Sequence, residues 1–169
     1  TELNIMNARG EIDLPDSVLE RLDIAIASIH MPCFKDERTI DNVTAAYEKV
    51  MEHPYVDIIG HPDDGRFPVD MKRLVKKAKE TGTLLEVNNS SLRPEGFREN
   101  TKENCLEMVK ECKAQGVMIV LGSDSHVDAD IAEYPYAEEI LRETDFPEEL
   151  VANVSLEKLK ACIKHGKKL

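Results

Sequence analysis

Several apolar runs in this sequence end in residues that can bind a metal or move a proton. Ala25-Ile26-Ala27-Ser28-Ile29 runs into His30, and Val56-Asp57-Ile58-Ile59-Gly60 runs into His61. Leu84-Leu85-Glu86-Val87 leads to Asn88-Asn89-Ser90, and Val117-Met118-Ile119-Val120-Leu121 leads to Gly122-Ser123-Asp124-Ser125-His126. One histidine closing such a run is usually a packed or solvated residue. Three histidines and a carboxylate at equivalent positions suit a metal centre, because imidazole and carboxylate together bind zinc, manganese or iron and can leave positions open for water. Asp124 and His126 flank a single small residue, so a turn at that point can aim both toward one mouth. His53, before Pro54 at an expected helix end, and His165, in a basic tail, read as surface or capping histidines.

Elements that could bring these residues together follow from the hydrophobic pattern. β-Branched apolar runs alternate with helical patterns, the mark of a parallel sheet built from βα units. The expected strands are Leu3–Met6, Asp23–Ile29, Val56–Gly60, Leu84–Val87 and Val117–Gly122. Most are continuously hydrophobic, as strands covered on both faces must be. In this architecture the site lies at the carboxyl ends of the strands, where the polar residues fall. Met71, Leu74, Val75 and Ala78 keep helical spacing with Gly82 placed to end the helix, and Ile40, Val43, Tyr47 and Val50 repeat the pattern. Further helices are expected over Thr101–Ala114, Tyr136–Glu143 and Ser155–His165. Asn7-Ala8-Arg9-Gly10 suggests a hairpin turn between Leu3–Met6 and Glu11–Leu14. Five such units fit either a barrel-like α/β fold or an open doubly wound sheet.

Composition narrows the function classes. The 169 residues form one expected domain, with 41% hydrophobic and 33% charged residues. No apolar run is long enough for a membrane span, and Thr1-Glu2-Leu3-Asn4-Ile5 has no signal-peptide character, so a cytoplasmic address is the default expectation. Lys and Arg number 22 against 33 Asp and Glu, a net charge of −11, which opposes capture of a nucleic-acid backbone. Cys105 and Cys112 stand about 10 Å apart along a helix axis, too far for a disulfide, and read as core residues. Neither a dinucleotide-binding glycine motif, a P-loop nor a nucleophile elbow is present.

Taken together, Gly60-His61-Pro62, Leu85-Glu86-Val87-Asn88-Asn89-Ser90-Ser91 and Leu121-Gly122-Ser123-Asp124-Ser125-His126 resemble successive motifs of the PHP (polymerase and histidinol phosphatase) family, especially its stand-alone phosphatases. Asp145-Phe146-Pro147 and Asn153-Val154-Ser155 are similar too, so the resemblance covers almost the whole chain. It implies a distorted seven-stranded (β/α) TIM-like barrel with up to three divalent metal ions (zinc, manganese or iron) at its C-terminal mouth. Residues 1–169 would then be a single, incomplete PHP domain, its C-terminal two-thirds, without the first βα units and their H-x-H motif. By motif, Glu2 would bridge two metals, His30 and His61 would complete the ligand set of one, and Asp124 and His126 would bind the others. One transition metal should then be held best at Glu2, His30 and His61.

The activity implied for the intact parent is hydrolysis of a small phosphate monoester, with metals acting as Lewis acids and activating a water. Glu2, His61 and Asp124 would carry the chemistry, while Arg66, Asn88 and Arg93 are candidates for holding substrate. Glu86, just inside a strand end, would orient a ligand or satisfy buried polar groups. The rival readings are a polymerase-associated PHP domain with a nuclease or structural role, and a non-catalytic metal-binding protein. Absent strands would leave edges for an N-terminal fragment or a second copy to cover, along Leu3–Met6 or Val117–Gly122.

Overall fold

Parallel strands cannot be joined by tight turns, and here every connection makes a helical crossover. The computed structural model describes residues 1–164. Its strands are β1 (Glu2–Asn4), β2 (Ile26–Ser28), β3 (Ile58–Ile59), β4 (Leu84–Asn88) and β5 (Ile119–Gly122). They form one five-stranded sheet in sequential order, every pair parallel. Helices α1 (Asp16–Leu19), α2 (Ile40–Met51), α3 (Met71–Thr81) and α4 (Thr101–Gln115) make the crossovers, followed by α5 (Pro135–Thr144) and α6 (Leu156–Cys162). Strand order never reverses, so the sheet has no switch point and is not doubly wound.

Period-two alternation divides the strand residues between two faces. Leu3, Ala27, Ile59, Leu85, Val87 and Ile119 join the main core with residues of α2, α3, α4 and α5. Ile26, Ile58, Leu84 and Val120 line the opposite face, where Ala152 and Leu159 and Cys162 of α6 pack on them. Cys105 and Cys112 are free and buried in the main core, as their helical spacing implied.

Helix α3 follows its pattern closely: Met71, Leu74, Val75 and Ala78 are buried, Asp70 caps the first turn and Gly82 ends the helix at φ 67°. Other expectations need correction. The strand expected over Asp23–Ile29 begins only at Ile26, because the Asp57 carboxylate takes the Ala25 N–H at 3.0 Å in place of a ladder partner. The hairpin through Asn7–Gly10 shrinks to a single antiparallel bridge between Ile5 and Ile12. Ile40 opens α2 but is 53% exposed, since only later residues of that helix reach the sheet. The last helix is shorter than Ser155–His165, with Ser155 as its cap, and His165 lies outside the described residues.

Segments of the same chain meet both sheet edges. On β5, Asn153 accepts the Leu121 N–H and donates to the Leu121 carbonyl, both at 3.0 Å, and Val151 bridges to Ile119. On β1, the Asp13 carboxylate takes the Asn4 N–H at 2.9 Å. Among the described residues no helix is long and apolar enough to cross a membrane.

Candidate metal centre

Register alone sets the first site residues side by side. Glu2 is the first residue of β1, His30 follows β2 and His61 follows β3, and the three strands are neighbours. Glu2 Oε1 lies 3.2 Å from His61 Nε2 and 3.6 Å from His30 Nε2, and the two imidazole nitrogens are 3.2 Å apart. It is the one group of three or more metal-ligand side chains among the described residues whose donor atoms all lie within 4.8 Å of one another.

The protonation chemistry suits a cation. His30 Nδ1 sits 2.8 Å from Asn4 Oδ1, an acceptor, so the ring proton is drawn to Nδ1 and Nε2 is left as a bare donor facing the cluster. Burial, and then His61, lower the His30 pKa and favour its neutral form. The His61 hydrogen bond outweighs the cost of burial and, with the Ser28 hydroxyl, holds the Glu2 carboxyl down at about 2. An ionised carboxylate and a neutral imidazole converging with a second imidazole are the forms a zinc-like ion requires.

His61 is buried and sits at φ 32°, a left-handed conformation unusual for a side-chain-bearing residue. Its N–H donates to Glu86 Oε2 at 2.8 Å, and its buried Nδ1 has no hydrogen-bond partner among the described residues. Two residues on, Asp63 is fully buried with both carboxylate oxygens also unpartnered, and burial pushes its carboxyl up to about 7 against the pull of His61 and Arg98.

The structure does not bring the other expected ligands to this cluster. Asp124, at φ 49° after β5, faces Arg98 instead, with both terminal guanidinium nitrogens 3.1 Å from its Oδ2. The His126 side chain is 85% exposed, and its Nδ1 lies 3.0 Å from the Asp124 carbonyl. Of the expected substrate residues, Arg66 is paired with Asp64 at 2.9 Å and Arg93 with Asp130 at 2.7 Å. Asn88 is buried: its amide donates to Glu86 and its carbonyl accepts from Ser91 N and Arg98.

Arg98 is the site residue that sequence reasoning passed over. Its side chain is only 9% exposed, it binds Ser91 Oγ at 2.8 Å as well as Asp124, and its Nε faces Asp64 at 4.0 Å. It sits in the irregular stretch between β4 and α4, where no periodicity marks which of several polar residues turns inward. A loop arginine of this kind offers no signal until the loop is folded.

No family model matches the sequence. Curated relatives do. A protein named "Probable phosphatase" from Clostridium novyi (strain NT) is 45% identical over 168 residues, covering 99% of this chain and 68% of the relative. One of the same name from Acetivibrio thermocellus is 42% identical over 166 residues, covering 98% and 67%. Another from Thermoanaerobacter sp. (strain X514) is 39% identical over 167 residues, covering 99% and 67%.

Proposed function

Since the chain belongs to the family of these bacterial probable phosphatases, we propose that it is the metal-binding part of a phosphoesterase of the PHP kind, acting on small phosphate monoesters. The observation that carries this reading is the convergence of Glu2, at the start of β1, with His30 and His61, which follow β2 and β3, on three adjacent parallel strands. A sheet wound in one direction is also the winding of a (β/α) barrel, which supports the finer fold assignment.

Glu2 Oε1, His30 Nε2 and His61 Nε2 would hold one divalent transition metal, zinc, manganese or iron, with Asn4 fixing the His30 tautomer. When bound, such an ion withdraws electron density from a phosphoryl oxygen and makes water a stronger nucleophile. Arg98 is the cation nearest in kind to a phosphate holder: its planar fork suits phosphoryl oxygens, and its burial excludes the water that would screen it. Asp124 aligns that fork by accepting from both terminal nitrogens, and in the PHP reading Asp124 and His126 belong to further metal positions. Arg66 and Arg93, likewise paired with an aspartate but more exposed than Arg98, would contribute to the outer field at the mouth.

The net charge of −11 counts against the polymerase-associated alternative. The test is phosphate release from a panel of small monoesters, using protein stripped with a chelator and then reloaded. Activity should vanish on stripping and return with zinc or manganese. Phosphate release that ignores the chelator would dismiss the metal-dependent reading.

A further inference from the structure

Below the donor cluster, a second carboxylate lies across the sheet. Glu86, in the middle of β4, is buried, and its Oε2 accepts the His61 N–H at 2.8 Å and the Asn88 amide at 3.1 Å. Gly122 concedes the space it occupies. A Cβ on Gly122 of β5 would collide with Glu86 Oε1, while one on Gly60, just after β3, would strike Ser28 and only touch Oε2 at 3.5 Å. The Glu86 side chain therefore reaches toward both neighbouring strands from an element all of whose residues are buried.

This is an unlikely choice for packing alone. Burying a carboxylate is costly, and apolar residues of similar volume usually fill such a place at least as stably. The same face of the sheet is apolar at Ile58, Leu84 and Val120. What the carboxylate supplies is an acceptor for the main chain of His61, which stands at φ 32°. Left-handed backbone at a side-chain-bearing residue is strained and persists only where its surroundings fix it. In that conformation His61 Nε2 points at Glu2 Oε1 and His30 Nε2, each 3.2 Å away.

We propose that Glu86 is a positioning residue for the Glu2–His30–His61 centre, its carboxylate clamping the His61 main chain so that Nε2 is aimed at the other two donors. Gly122 is then part of the same device, because it leaves room for the clamp. The proposal rests on the metal-binding reading of the triad.

Two substitutions separate clamping from a contribution of charge. Glu86→Gln keeps an acceptor oxygen at full reach but loses the charge, and Glu86→Asp keeps the charge but withdraws the oxygen by one methylene. Zinc affinity is read by competition with a chelating dye, beside the melting temperature of each variant. Glu86→Gln should bind zinc within about threefold of the unsubstituted protein, while Glu86→Asp should bind about 10- to 100-fold more weakly, the usual range for lost ligand-orienting partners. Zinc binding by Glu86→Asp at the original affinity, or equal losses in both variants, would overturn the clamp. Should Glu86→Asp not fold, Gly122→Ala displaces the carboxylate from the other side and must weaken zinc comparably. Original affinity in that variant overturns the proposal too. If the unsubstituted protein takes up no zinc at all, the metal reading falls and the clamp with it, an outcome distinct from failure of the Glu86 variants alone.

Discussion

Arg98 sets both terminal nitrogens of its guanidinium 3.1 Å from one oxygen of Asp124, joining the stretch before α4 to the end of β5 across the mouth of the candidate site. Ser91 and Asn88 take further bonds from the same Nη1, so the fork is held on several sides. A guanidinium so fixed keeps its plane, and of its two terminal nitrogens Nη2, which here bonds Asp124, has a second N–H to offer an anion.

Arg98 therefore bears directly on turnover. Arg98→Gln should lower kcat/KM for a phosphate monoester by about 100-fold, the scale for removing one preorganised donor. Zinc held by Glu2, His30 and His61 should be retained, because the hydrogen bonds of Arg98 run to Asn88, Ser91 and Asp124 rather than to those three. Steady-state kinetics with elemental analysis checks both, and undiminished kcat/KM would remove Arg98 from substrate binding.

Metal should also register as stability. A ligand that binds only the folded chain adds about 2.7 kcal/mol at a hundredfold excess over its dissociation constant. Zinc should raise the melting temperature of the protein and leave that of His61→Ala unmoved, since the substitution deletes a donor within 3.2 Å of both others. Calorimetric scans with and without zinc decide it. An equal rise in both proteins would place the metal elsewhere.

At the β5 edge, Asn153 satisfies both main-chain polar groups of Leu121. Asn153→Ala strips both partners, so urea unfolding should show a loss of about 1–3 kcal/mol. Light scattering on the same variant should report self-association, because an exposed edge is free to pair. A variant as stable and as monodisperse as the original would show that this edge needs no cover.

Lys164 gives a pH signature away from the site. Burial lowers its pKa from the usual 10.5 to about 8, against the opposing pull of Asp57. Between those values the folded chain binds fewer protons at this residue than the unfolded chain does. Its destabilising contribution is thus fully present below about pH 8 and is relieved as pH rises toward about 10.5. Lys164→Met should flatten that part of the stability profile, measured by urea unfolding across the window. An identical slope in both proteins would assign it to other groups. The slope is the diagnostic quantity, because Lys164 Nζ also donates to the Met51 carbonyl at 2.7 Å and its loss shifts overall stability.

Local pattern was enough for much of the architecture. The four-residue repeat of Met71, Leu74, Val75 and Ala78 reports which side of α3 is buried, and Gly82 reports where it stops, because helix geometry and the left-handed cap are short-range properties. The apolar runs ending in His30 and His61 likewise marked strand ends, and a parallel sheet places successive strand ends on one side.

Tertiary structure decided the rest. The adjacency of Glu2, His30 and His61 depends on strands β1, β2 and β3 lying in sequential order, a fact of pairing rather than of any one segment. Where Asp124 and His126 come to lie is tertiary too: Asp124, at φ 49°, meets Arg98, and the His126 side chain is exposed. The sequence by itself determined which residues end strands and which faces are apolar, because those follow from periods of two and 3.6 residues in neighbouring positions. Only the folded chain decided that Arg98 rather than Arg66 or Arg93 turns into the mouth, and that Glu86 reaches the main chain of His61, 25 residues away in sequence. Such contacts are fixed by loop paths and by the space that Gly122 leaves open, and neither has a period to read.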